Sequence, residues 1–367
     1  MRYLLLPIVV VLMLSLASCS RQSTGAKPTD IQIAETLIYN HQDSFYTNPQ
    51  EAEQHLTRVL KQLSDTSARK RLQLFIGMER MFQGDTKGFQ KNIDDVRQYC
   101  QSHPDDKSLS GLYWNDWGRA KMLSGDGDSA ITCFESANHD FVLAKDTARA
   151  GDVSINLAGL LRERGDMAWA ARVLQQALVL LQGKSNRPAT IRFAVLYMLG
   201  AVYSDMYSFN IADTYFKQAA QNIGDANLND QYMFYNARGN RYFFDKKYTQ
   251  AWNDFSESKK IAQQLNNPAF VAIAESNQGE ILHNQGKNSQ AMPLLLNAEQ
   301  TIAKSGGGDP RSTAYLNDLI ASVMAHNGDM SGARARFRST DTSAIAKEPR
   351  YMMTHYERLA DFHHLTG

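Results

Sequence analysis

Three cysteines and nine histidines are the side chains here best suited to bond-making or metal chemistry. Cys19 ends the string Leu16-Ala17-Ser18-Cys19, a thiol placed behind small residues at the close of an apolar run. Cys100 and Cys133 stand at different registers of the pattern described below. A bridge would require their Cα atoms within about 7 Å, so they read as two separate thiols. His355, His363 and His364 crowd the C-terminal end, but they fall on different helix faces and read as surface side chains rather than a metal set. Gly306-Gly307-Gly308 follows no strand and precedes no Lys-Ser/Thr pair, so it reads as an inter-repeat turn and not a phosphate loop. Arg162-Glu163-Arg164 reads as a solvated helix end. No Ser-His-Asp arrangement or carboxylate pair stands out, so the expectation is a chain without catalysis, cofactor or metal.

The composition is that of an ordinary soluble folded body. Of 367 residues, 43% are apolar and 21% charged, and the formal net charge is +1. Nucleic acid requires a clustered basic face, and no such cluster is present, so nucleic acid is not expected as a partner.

What must position these residues begins with the N-terminus. Met1-Arg2 is a short basic start, and Tyr3–Leu16 is almost wholly apolar. That run is shorter than the about 20 residues of a membrane span. The Leu16-Ala17-Ser18-Cys19 string resembles the bacterial lipobox. The resemblance implies cleavage after residue 18, lipidation of Cys19 and attachment to a membrane. Ser20, a non-aspartate, implies the outer membrane under the sorting rule of enteric-type bacteria. An ordinary signal peptide with an incidental cysteine is the alternative. Residues 19–29 then read as a lipidated cysteine with a flexible tether.

The rest of the chain carries a ladder. Gly84, Gly125, Gly165, Tyr207, Lys246, Gly286, Gly328 and Gly367 recur at steps of 39–42 residues. Such a period signals stacked supersecondary units. Each unit has a small residue seven positions before the rung: Gly77, Gly118, Ala158, Gly200, Gly239, Gly279 and Ala321. An alanine follows twelve residues later, from Ala130 to Ala333. Four further on stands Ile93, Phe134, Leu174, Phe216, Phe255, Leu295 or Phe337. Spacings of three and four place these on one face of each of two helices, A and B. Asp85, Asp126, Asp166 and Asp329, just past their glycines, suit helix N-caps.

This pattern resembles the tetratricopeptide (TPR) repeat. The resemblance implies an all-α fold, an α-solenoid wound as a right-handed superhelix of about seven to eight helix-turn-helix repeats. The usual TPR period is 34, so longer helices or loops are expected. The expected layout is an atypical N-terminal pair at 30–64, repeats over about 70–345 and a single terminal helix at 350–366. The pattern stops at Gly367, which leaves two readings: a lone capping helix, or a fragment of a longer protein.

TPR stacks hold a peptide or partner helix against the concave face lined by helix A. Carried onto this chain, the contact positions are Asn115, Arg119, Met122, Ile155, Arg162, Tyr197, Asn236, Asn240, Phe243, Glu280 and His283. Asn115 with Arg119 and Arg162 suits a carboxylate or amide groups. Asn236 and Asn240, one turn apart, suit a peptide backbone. The resemblance therefore implies a lipid-anchored scaffold for a protein or peptide partner in the bacterial cell envelope. The sensor part of a truncated TPR regulator is the alternative, and a glycan-binding outer-membrane lipoprotein ranks below it.

Overall fold

The computed structural model describes residues 28–41, 48–182, 188–304, 310–346 and 349–366. Cys19, its tether up to residue 27, the Gly306–Gly308 run and Gly367 lie outside the described residues. Among the described residues there are 17 α-helices and no strand. The chain divides into two compact units, 1–103 and 104–367.

The first unit holds α1 (Asp30–His41), α2 (Pro49–Gln62), α3 (Thr66–Phe82) and α4 (Thr86–Ser102). Pro49 opens α2 at a position where the missing N–H costs nothing. Ala34 and Leu37 of α1, Ala52 and Leu56 of α2, and Ala68, Leu72 and Ile76 of α3 share one apolar cluster. Asp30, at the start of α1, accepts bonds from the Ser64 and Asp65 N–H groups just ahead of α3, at 2.6 and 2.7 Å. The expected N-terminal pair is thus also tied directly to the repeat that follows it.

The second unit stacks helices in the expected A–B order. These are α5 (Lys107–Leu123), α6 (Gly127–Leu143), α7 (Thr147–Arg164), α8 (Met167–Leu180), α9 (Pro188–Asp205) and α10 (Phe209–Ala220). They continue as α11 (Leu228–Phe244), α12 (Tyr248–Gln264), α13 (Pro268–Asn284), α14 (Asn288–Lys304), α15 (Pro310–His326) and α16 (Met330–Ser339). A last A-type helix, α17 (Pro349–Thr366), follows. Helices of 17 or 18 residues account for the extended period where both run to that length, and where helix B is shorter, as in α8, α10 and α16, a longer connection to the next helix A makes up the difference.

The turns explain the ladder. At the A–B turn after α5, Gly125 has φ +77°, which only glycine adopts freely. The left-handed residue lets Asp126 N–H reach back to Lys121 O at 2.9 Å, closing α5 with a Schellman-type bond. The Asp126 carboxylate then accepts from Ser129 N–H and caps α6. Each such cap stabilises by about 1 kcal/mol. Asp85 and Asp329 cap in the same way, whereas Asp166 makes no side-chain cap bond.

Helix pairing explains the other glycines. A Cβ built on Gly239 would lie 2.6 Å from the Phe255 ring, and one on Gly279 would lie 2.5 Å from Leu295. The large helix B residue therefore fills the space over the small helix A residue of its own repeat. Phe134, Phe216 and Phe255 are at most 2% exposed in this role.

Cys133 is buried as a free thiol, and burial pushes it up to about 11. Trp114 and Trp169 pack against the main apolar cluster, and Trp252 against a smaller one. No helix among the described residues is long and apolar enough to cross a membrane.

Candidate functional site: the inner face of the second unit

Helix A side chains form one continuous face of the second unit. Glu163, at the end of α7, pairs with Arg311, at the start of α15, at 3.1 Å. These helices are four repeats apart in the chain. Two A helices that far apart can meet only on the inside of a curve, so helix A lines the concave side.

At the α5 end, Asn115 and Asp116 are adjacent, and Arg119 lies one turn on. Asn115 Nδ2 points at Asp116 Oδ1 at 3.4 Å, while Asn115 Oδ1 is buried without a hydrogen-bond partner. Arg119 reaches Asp116 at 3.6 Å. Burial raises the Asp116 carboxyl to about 6, against the opposing pull of Arg119. Met122 is 41% exposed at the end of the same helix.

On α7, Ile155 packs against the apolar core. Arg162 Nε donates to Asp205 of α9, whose carboxylate is almost fully buried. Tyr197 differs from its expected place. It is 5% exposed in the core. Burial pushes its hydroxyl well above the usual phenol range, and a bond to Asp230 adds to the effect. Its helix position faces the A helix of the next repeat, which covers it.

Asn236 of α11 accepts from Asn277 Nδ2 of α13 at 3.0 Å, one repeat further on. Asn240, half-buried, bonds to no described residue. Phe243 packs against Tyr248 and Phe244, with ring centres 5.9 and 6.0 Å away.

Glu280 and His283 are already engaged by the terminal repeats. Glu280 Oε1 accepts from Tyr315 OH at 2.7 Å and from Arg358 Nη2 of α17 at 2.6 Å. The Arg358 guanidinium lies 4.2 Å over the Tyr315 ring. His283 Nδ1 is 2.6 Å from Asn288 Oδ1, and its Nε2 is 3.1 Å from Ser322 Oγ. Burial holds the His283 imidazole below its usual range. His355, expected at the surface, is buried instead. Its Nδ1 lies 2.7 Å from Asp318 Oδ2, and Asp318 Oδ1 accepts from Thr340 at 2.7 Å. His363 and His364 are exposed, as expected.

Arg162, Asn236 and Glu280, expected to grip a partner, instead bond polar residues of later A helices. Asp205, Asn277, Tyr315 and Arg358 are the partners that single-helix reasoning missed. Their signal was a polar residue on helix A about one repeat from another, or two repeats in the case of Arg358. On this face Arg119, Arg162 and Arg358 are balanced by Asp116, Asp205 and Glu280. Two amide groups of this face lack a partner among the described residues: the buried Asn115 carbonyl and the half-buried Asn240 amide. A second hollow of about 320 Å³ lies between helices α6 and α8, floored by Leu157 and edged by Trp169 and Val173. Its Asn138 amide is already spent on Ala150 O and Ser154 Oγ, at 3.0 and 2.8 Å.

No family model matches this chain, and no curated protein matches its sequence. Solved structures do match its fold. A Rap protein complexed with competence and sporulation factor superposes with a TM-score of 0.68 at 14% identity, over 92% of this chain and 94% of that one. The apo form of the quorum sensor NprR from B. thuringiensis gives 0.53 at 11% identity, over 89% and 98%. A tetratricopeptide repeat protein from Parabacteroides merdae gives 0.52 at 13%, over 78% and 100%. At these identities the likeness is one of fold: an all-α solenoid of the TPR type.

Proposed function

We propose that the concave face of the second unit holds the main chain of an extended protein or peptide segment, and that the chain serves as an interaction scaffold. The observation carrying this reading is a pair of amide groups without partners among the described residues, the buried Asn115 carbonyl and the half-buried Asn240 amide, on a face whose charges pair with one another. Asn240, the more accessible of the two, can exchange two hydrogen bonds with the main chain of an extended segment. A neutral, amide-rich face recognises backbone better than it recognises a strongly charged ligand. The Rap protein's match in complex with a factor is consistent with this use of the fold.

The scaffold is read as lipid-anchored in the bacterial cell envelope through Cys19, on the outer membrane. The support is the sequence Leu16-Ala17-Ser18-Cys19 behind its apolar run, followed by Ser20. An acyl chain contributes about 0.8 kcal/mol per buried CH₂. Cys19→Ser should release the protein into the soluble fraction, and membrane retention of that variant would defeat the anchor.

In-cell crosslinking from position 240, followed by mass spectrometry, tests the groove. Recovery of a defined protein segment, lost in Asn115→Ala with Asn240→Ala, is expected. Recovery unchanged by the pair would count against the concave face, and recovery of sugars alone would favour a glycan ligand. A second reading, a peptide sensor, is favoured by one observation: the exposed Glu163–Arg311 bridge that closes the curve is weak enough for a ligand to open or tighten it.

A further inference from the structure

Two consecutive rungs of the second unit's turn ladder are not glycine. Tyr207 has φ +56° and Lys246 has φ +57°, whereas Gly125, Gly165, Gly286 and Gly328 occupy the equivalent turns. A side chain in this left-handed region costs about 1–2 kcal/mol, and for a bulky residue it is a true outlier. Lys145 and Asn266 adopt it too, but in the B–A turns. At the glycine rungs an added Cβ would meet nothing within 4 Å. The fold therefore leaves room for a side chain at a rung without needing one for packing.

The two exceptions lie side by side in the stack and build one patch. Tyr207 is 67% exposed, with Met206 and Ile211 exposed beside it. The Tyr207 ring sits 5.8 Å from Phe209 and 6.3 Å from Phe244. Beneath them Arg241, almost wholly buried, lies 4.2 Å over Phe209 and donates to Asp213 and Asp245 at 2.8 and 3.0 Å. Lys246 is exposed and makes no ion pair with a described residue, and Lys247 reaches Asp245 at 2.8 Å. The result is an aromatic surface on a rigid ionic base, with a free ammonium at its rim.

We propose that this turn edge is a docking surface for a second protein, for a segment that presents an apolar side chain flanked by carboxylates. The aromatic rings supply the hydrophobic contact. Lys246 supplies the complementary charge. An anionic lipid surface fits less well, because it takes a cluster of basic side chains, whereas Arg241 and Lys247 are already ion-paired and Lys246 is left as the single unpaired cation among the described residues of the patch. The surface is distinct from the unpartnered amides of the concave face, so it stands or falls separately from them.

The test uses the purified chain and its Tyr207→Gly, Lys246→Gly double variant. Restoring glycine removes the side chains and relieves the left-handed strain, so the melting temperature should hold or rise. The probes are a short fluorescein-labelled peptide of leucines and glutamates, the same peptide with lysines for glutamates, and phosphatidylglycerol vesicles. The glutamate peptide is expected to bind the natural chain and to bind the double variant roughly tenfold more weakly. Equal affinity for both chains, equal binding of the lysine peptide, binding to vesicles only, or no binding at all would each overturn the proposal.

Discussion

Glu163 and Arg311 stand 3.1 Å apart at the ends of α7 and α15, each still a third to a half exposed. Exposed pairs of this kind contribute at most about 1 kcal/mol. Their position matters more than their strength, because they bridge the inner face. Glu163→Gln should change stability by less than about 1 kcal/mol. It should nevertheless lengthen the distance between spin labels on α7 and α15, and high salt should do the same to the natural chain. Distances unmoved by both would mean that backbone packing alone sets the curvature.

Gly239 and Gly286 are glycine for different reasons, and alanine distinguishes them. At Gly239 the new methyl would sit 2.6 Å from the Phe255 ring, in helix–helix contact. Overpacking of this kind costs about 1–3 kcal/mol, and adding Phe255→Leu should recover part of it. At Gly286 nothing lies within 4 Å, but φ is +73°, so the cost is about 1 kcal/mol from backbone strain alone. Urea unfolding of the three variants gives the comparison. A rescue of Gly286→Ala by a neighbouring truncation would contradict it.

Asp116 and His283 impose opposite pH dependences on the second unit. Burial raises the Asp116 carboxyl from the ordinary 3.8 to about 6, so the folded state holds its proton more tightly than the unfolded chain. Its contribution is full below pH 4 and is lost as pH rises towards 6. The rise corresponds to roughly 3 kcal/mol. Asp116→Asn should therefore stabilise the protein at pH 7 and flatten this window. His283 is held below its usual 6.5 by burial. Its neutral form is favoured on folding, so its contribution is present above 6.5 and declines as pH falls below that. His283→Asn should remove the decline. Stability curves for the two variants that parallel the natural one between pH 4 and 7 would refute both assignments.

The terminal helix α17 is held by buried polar pairs. His355–Asp318 is the most enclosed, with both side chains at most 6% exposed, and Arg358–Glu280 follows. Removing one partner of such a pair costs about 3–5 kcal/mol where the structure cannot give way. Here α17 can undock, which caps the cost. His355→Ala should abolish hydrogen-exchange protection across α17 while leaving α11 unchanged. Arg358→Lys should do so only in part, because an ammonium keeps the charge but loses the forked geometry. Uniform loss of protection across the second unit would show instead that α17 is integral to its core.

The repeat architecture was legible because local chemistry marks it twice per unit. A left-handed turn selects glycine, and helix contact selects a small residue opposite a large one. The inner face was legible as a face, through the register of helix A. Its occupancy was not. Arg162 looks available until Asp205 is placed beside it, and Asn236 until Asn277 is. Those partners lie one repeat away, and spacing within a helix cannot say whether two side chains from neighbouring repeats meet. Tyr197 and His355 were misplaced for the same reason: a neighbouring A helix covers them, the following one for Tyr197 and the preceding one for His355.

The pairing of a small helix A residue with a large helix B residue also limits how repeats can be exchanged. Where α7 carries Ala158, α8 answers with Leu174, and where α11 carries Gly239, α12 answers with Phe255. A chimera that joins α7 to α12 would bring the Ala158 methyl against a phenyl that sits over bare glycine in its own repeat, and one that joins α11 to α8 would leave a void over Gly239. Cuts made in the B–A connections keep each complementary couple whole. Recombination at those seams, and not at the conspicuous glycine turns, is where this solenoid can lengthen or shorten without repacking.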